Sequence, residues 1–329
     1  MPSRAKPLPV CRYQIRPDRR NLDICCGMEG TRHTDSLRGG VYMVIAMAII
    51  GVIDNYVGRI AETVSLWQFH AMRSTVSLPI LLALPFMGFG ALRMTRPGAV
   101  ALRSVLIASS MMLYFAALAF MPIAHALAGL FTSPIFILLI TALGLRRRLG
   151  PWRILAVALG FAGILCVLQP DPDTFKPWML MPVAAGFLYA LTGITTRELC
   201  AGESTLVLLI ASWIALGLMG AAGLAVLEVI AVDPPPGRDG FLTRPWVADF
   251  APVLPLLALQ VVGSITGVFL LTRGYQIGET SYIAVFEYSV MIFGPAWAWV
   301  MFGQALGLVQ IGGLVLIAAA GAIIAVRSR

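Results

Sequence analysis

Charge is scarce in this sequence. Of 329 residues only 12% are Asp, Glu, Lys or Arg, while 59% are hydrophobic. Soluble domains carry charge on about a quarter of their residues, and need polar side chains to cover their surface. A soluble enzyme, a nucleic-acid binder and a fibrous protein are therefore poor readings. Cysteine is also sparse: Cys11, Cys25, Cys26, Cys166 and Cys200 form no CxxC pair and no Cys/His spacing of a zinc site. Free thiols in a reducing compartment are expected, with no metal and no cofactor. The three histidines, His33, His70 and His125, do not cluster with acids. That absence weighs against a membrane-embedded enzyme acting on lipid.

What is present instead is a series of apolar blocks about twenty residues long, enough to cross a bilayer core as helices. They fall at 40–58, 65–86, 103–121, 126–145, 152–169, 178–196, 204–230, 252–272, 281–302 and 308–326. Lipid leaves no backbone polar group unpaired, so such blocks are helices or barrel strands. They are too long and too uniformly apolar for strands, which alternate in polarity. Residues 1–39 form a polar, basic tail without a signal-peptide core, and Met28 inside it offers an alternative start. The connections are too short for a soluble catalytic domain. The longest, roughly 231–251, is rich in Pro and Gly and is expected to be an irregular surface loop.

Charge placement orients the chain. Ten spans put both termini on one side. Of the 24 Lys and Arg residues, only Arg59, Lys176, Arg238 and Arg244 fall opposite, and Arg73 lies within a span. Cytoplasmic loops hold the Lys/Arg excess, so both termini are expected in the cytoplasm, with the protein multi-pass in the inner membrane. The net charge of +8 is thus a topology signal rather than a nucleic-acid patch.

Division after residue 169 leaves five spans in each half, the odd number that inverts one half against the other. The half-ends LRRRLGPWRILAVALGFAGILCV (from Leu145) and FGQALGLVQIGGLVLIAAAGAIIAV (from Phe302) share a layout, with Leu149–Gly150 matching Leu306–Gly307. The first, extended to 133–170, resembles the end of the first half of EamA-like carriers of the drug/metabolite transporter superfamily. FEYSVMIFGPAWAWVMFGQALGLVQIGGLVLIAAAG (286–321) is similar to the end of the second half, and SLWQFHAMRS (65–74) to the family's second helix. The resemblance covers about 40–326. It implies an all-α membrane protein of ten helices in two inverted five-helix repeats, 40–169 and 178–326. It also implies a central cavity and alternating access without ATP hydrolysis. The chain departs from the family at two turns, with Arg146–Arg147 in place of Gly-Glu after helix 4 and Gln304 in place of Glu after helix 9.

Charges inside a bilayer cost at least ~2.5–3.5 kcal/mol each and normally pair or face a cavity. Asp54, about 21 Å from the cytoplasmic start of helix 1, and Arg73, about 12 Å from the outer end of helix 2, share a depth in the outer half. They read either as a structural ion pair or as a cavity pair in which Arg73 binds an anionic or polar group. His70 shares a face with Arg73 and reads as packed; Gln68 lies nearer the outer end. Glu287, beside Tyr288, is the acid well inside the second half's spans. It reads as hydrogen-bonded to a neighbouring helix or as the carrier of a coupling proton. Tyr114, Tyr189 and Tyr288 are candidate cavity-lining residues. Gly263 and Gly267 fit a small-xxx-small packing seam.

The expected function is secondary transport of a small organic metabolite. A lipid-modifying enzyme, or a membrane protein that does not transport, is the alternative. The expected partners are that metabolite and membrane lipid, with a coupling proton and a homodimer left open.

Overall fold

A computed structural model describes residues 26–88, 90, 92–143, 151–169, 177–230, 232–277 and 286–327. Among these residues the chain is all-α, with no strand. The longer helices are α1 (Cys26–Asp54), α3 (Leu66–Ala83), α4 (Pro97–Phe120), α7 (Pro151–Leu168), α8 (Met181–Glu198), α9 (Thr205–Ile230), α10 (Leu254–Ile277), α11 (Val290–Phe302) and α12 (Leu308–Arg327). Shorter helices α2 (Val57–Ile60), α5 (Ile123–Leu130) and α6 (Ser133–Leu143) complete the set. Six helical stretches are long and apolar enough to cross a membrane: Leu37–Ile60, Leu66–Met87, Pro97–Phe120, Pro177–Thr196, Thr205–Ile230 and Ala251–Leu271. Shorter apolar helical stretches run over Ile123–Ile137, Ile154–Val167, Val290–Phe302 and Leu308–Ile323. Arg146–Arg147 lie outside the described residues, as does most of the N-terminal tail.

Two spans expected to be continuous are broken. The first breaks at Asn55–Tyr56, between α1 and α2. There the Asn55 side-chain amide donates to the carbonyls of Gly51 (2.7 Å) and of Gly294 in α11 (3.0 Å), satisfying groups that a helix end leaves open. The other breaks between α5 and α6. Pro134 has no N–H to give Leu130, and the Thr132 hydroxyl donates to the Gly129 carbonyl (2.7 Å). Helix α8 presses on this break through Gly186, where an added Cβ would stand 2.7 Å from the Gly129 oxygen. Helix α4 begins six residues before the expected 103, because Pro97 suits the first helical turn. Helix α11 begins at Val290, after a turn at Tyr288–Ser289 that separates it from the helical residue Glu287. It ends at Gly303, whose φ of +66° only glycine adopts without strain. The Gly303 and Gln304 N–H groups donate back to Trp299 and Ala298, closing the helix.

The helices pack as α1 on α10 and α11, α4 on α8, α3 on α9, α7 on α12, α5 and α6 on α8, and α5 on α11. Gly263 and Gly267 form the expected seam. Their Cα positions meet Ile53 and Ile50 of α1 so closely that an added Cβ would fall 2.6 and 2.9 Å from those side chains.

The 232–253 connection is irregular as expected, but it is tied down rather than loose. Phe241 is fully buried. The Arg244 guanidinium donates to the carbonyls of Ala61 (2.9 Å) and Val64 (3.2 Å), and the Trp67 indole N–H donates to the Leu242 carbonyl (2.9 Å). Open helix ends and carbonyls around residues 61–68 explain why this segment folds onto them.

Candidate functional site

Asp54 stands at the C-terminal end of α1, 4% exposed. It accepts a 2.9 Å hydrogen bond from the Tyr114 hydroxyl on α4. It also lines a cavity of about 480 Å³ together with Arg59, Phe120, Trp178, Arg238 and Phe302. This cavity gathers the C-terminal ends of α1, α4 and α11, the start of α5 and the turn before α8.

Arg73, also 4% exposed, lies on the next helix. Its guanidinium carbon sits 4.9 Å from the Phe69 ring centre, 4.6 Å from Phe115 and 4.8 Å from Trp213. Three helices, α3, α4 and α9, thus supply one aromatic cage, an arrangement that stabilises a desolvated cation. At its edge Arg73 donates to Gln260 Oε1 of α10 at 3.5 Å. Gln260 in turn donates to the Ile53 carbonyl at 2.7 Å, one residue before Asp54. Asp54 and Arg73 lie within electrostatic reach of each other. No ion pair within 4 Å joins them among the described residues; the one such pair is the exposed Arg238–Glu62 contact at 3.0 Å.

A second cavity, about 340 Å³, lies at the other end of the bundle between the C-terminal ends of α3 and α10 and the start of α9. Leu81, Leu84, Val268 and Arg273 line it, and Trp213 forms part of its wall. The buried charged layer therefore stands between two hollows, with Asp54 on one and the Arg73–Trp213 stack bordering the other.

The remaining candidates lie elsewhere. Gln68 is fully buried. Its amide nitrogen donates to the Val247 carbonyl (2.8 Å), and its oxygen accepts from the Val247 N–H (2.9 Å). It fastens the 232–253 segment and stands outside the charged layer. Tyr189 on α8 lies within electrostatic reach of both Glu287 and Arg103. Tyr288 packs on Phe131 with ring centres 5.2 Å apart. None of these four lines either cavity. Arg103, assigned by sequence to a cytoplasmic loop, is inside α4. It donates to the Leu208 carbonyl (3.0 Å) and to the Ser212 hydroxyl of α9. Placing the start of that span at 103 hid it. Gln260 was also missed, although an amide amid the apolar 252–272 block was a readable signal.

Fold and site together define a multi-pass, all-helical membrane protein with a charged layer at its centre. Residues 37–169 match the EamA-like transporter family, the first of the two expected repeats. Over more of its length the chain resembles named transporters. It is 28% identical to a riboflavin transporter of Rhizobium johnstonii, over 85% of this chain and 89% of the relative. It is 26% identical to the pseudopaline exporter of Pseudomonas aeruginosa, over 87% and 95%, and 24% identical to an S-adenosylmethionine uptake transporter of Rickettsia bellii, over 77% and 80%. A solved structure described only as "Crystal structure of protein" shares the fold, with a TM-score of 0.59 and 18% identity, covering 89% of this chain and 96% of that one. The resemblance to EamA-like carriers of the drug/metabolite type is thus shown, and these relatives carry the names of transporters, not of enzymes.

Proposed function

We propose that the protein is a secondary active transporter that carries a small organic metabolite across the inner membrane by alternating access. The observation that carries this reading is the charged layer of Asp54, Tyr114, Arg73 and Gln260 between two cavities at opposite ends of the bundle. A solute admitted from one end meets polar groups before any path to the other end is open.

Two inverted repeats, 40–169 and 178–326, supply the rocking halves. Helix pairing supports this. Exchange of α1 with α8, α3 with α9, α4 with α10, α5–α6 with α11 and α7 with α12 turns the α1–α10 contact into the α8–α4 contact. The same exchange returns α3–α9 and α7–α12 to themselves. The arginine distribution supports cytoplasmic termini.

Asp54, Arg73 and Tyr114 are assigned to solute binding. Glu287, the acid beside Tyr189 and Tyr288, is assigned to a coupling proton, and Gln68 to holding the outer segment in place. Riboflavin, pseudopaline and S-adenosylmethionine, the solutes named for the relatives, head the candidates for transport.

The test is a metabolite uptake screen in proteoliposomes. Arg73→Ala is expected to lower the initial rate at least about tenfold, the scale of a lost charged hydrogen bond. Full activity in that variant removes Arg73 from the site, and no uptake or exchange of any solute removes the transport reading. A Glu287→Gln variant with an unchanged pH profile ends the proton assignment.

A further inference from the structure

Arg73 is short of acceptors. A guanidinium offers five N–H donors. The centres of three rings lie 4.6–4.9 Å from its central carbon, yet among the described residues the only hydrogen bond it makes is to Gln260, at 3.5 Å, and its Nε has no partner. Three and four residues apart on α3, His70, Arg73 and Ser74 share one helix face. His70 is fully buried with neither ring nitrogen bonded, and Ser74, 1% exposed, has an unpartnered hydroxyl. Ser77, one turn further along, repeats the pattern. Each orphaned donor costs a lost hydrogen bond, so one helix face that gathers several of them around an unpaired cation is built for a ligand that brings oxygen acceptors and negative charge. Asp54, the acid within electrostatic reach, is engaged by Tyr114 and opens on the other cavity.

We propose that His70, Arg73 and Ser74 form an oxyanion subsite, closed from the second cavity by Trp213, that takes the carboxylate or phosphate group of the carried solute. Trp213 is placed to be the lid. Its ring stacks on Arg73, and it packs with Leu81, Leu206 and Ile210 in a small cluster of their own while lining the second cavity. That cavity carries one charge of each sign, Arg273 and Glu203. This assignment rests on the transport reading for its ligand, but the subsite is testable without it.

The test uses Ser74→Cys in proteoliposomes, with two methanethiosulfonate reagents as probes, one bearing a sulfonate and one a trimethylammonium group. Peptide mass spectrometry separates position 74 from the native cysteines. After normalisation to each reagent's rate with a free thiol, the sulfonate is expected to react at least about tenfold faster, the scale of electrostatic focusing in a low-dielectric cleft. Arg73→Gln in the same background is expected to erase the preference and Arg73→Lys to keep it. Trp213→Ala is expected to raise both rates. Equal or reversed preference overturns the subsite, as does a position 74 that stays unmodified even with Trp213→Ala. Transport without anion preference refutes this inference alone. Anion preference without transport of any solute refutes the transport reading alone.

Discussion

Asp54 and Tyr114 are bound to each other across 60 residues of sequence by one buried hydrogen bond. Removal of one partner leaves the other unsatisfied, at a cost of about 1–3 kcal/mol. Tyr114→Phe is therefore expected to lower thermal stability in detergent. In a double-mutant cycle with Asp54→Asn the two effects should fail to add, with a coupling of about 0.5–3 kcal/mol; additive effects would show that the contact contributes nothing. Glu203, in the solvent-facing turn between α8 and α9, is a different case. The Thr95 hydroxyl, the Thr95 N–H (2.9 Å) and the Arg96 N–H (2.6 Å) all donate to its carboxylate, and these bonds hold it below the usual carboxylate range. The folded state thus binds its proton less readily than the unfolded chain. The stabilisation is present above the ordinary carboxylate value and fades as pH falls through the lowered one. The melting difference between the native protein and Glu203→Gln should shrink on acidification below about pH 4.5; a difference that grows would reverse this sign.

Helices in lipid gain nothing from burying apolar surface against one another, so close backbone approach carries their packing. The α7–α12 pair shows this directly. A Cβ on Gly163 would lie 2.7 Å from the Gly313 oxygen, and one on Gly313 would lie 2.6 Å from the Gly163 oxygen. Gly312, the neighbour on the same helix, has nothing within 4 Å. Gly313→Ala is expected to destabilise the protein in a detergent melt, whereas Gly312→Ala should be neutral or stabilising by up to about 1 kcal/mol from helix propensity. Equal effects would mean that the two helices do not meet through these glycines. The broken helices follow the same logic. Asn55, Thr132 and Gly186 supply the partners or the room that freed backbone groups need inside a bilayer.

The orientation belongs to the whole molecule. A reporter in the exposed stretch 232–237 should be active on the outer side, and one fused after Arg329 on the cytoplasmic side, as the arginine distribution requires; the reverse pattern would invert every assignment of inner and outer cavity. In that orientation Asp54 faces the outer cavity, and Trp213, which covers Arg73, lines the inner one.

Much of this was legible in the linear chain. Scarce charge and twenty-residue apolar runs required membrane helices, because hydrocarbon tolerates no bare backbone. Asp54 and Arg73 stood out because a charge amid such runs is costly. Partner choice was not legible. Spans apolar on every side carry no stripe to show which face turns inward, so neither the Tyr114–Asp54 bond nor the ring of Phe69, Phe115 and Trp213 around Arg73 could be read from spacing. Between the two readings offered for Asp54 and Arg73, the structure shows no direct ion pair: Asp54 is held by Tyr114 and lines one cavity, while Arg73 is held among three rings behind Trp213, which lines the other. Sequence alone determined the solvent of this protein and the location of its charges. Tertiary structure decided what those charges touch, because in lipid contact is chosen by shape and unmet hydrogen bonds rather than by hydrophobicity.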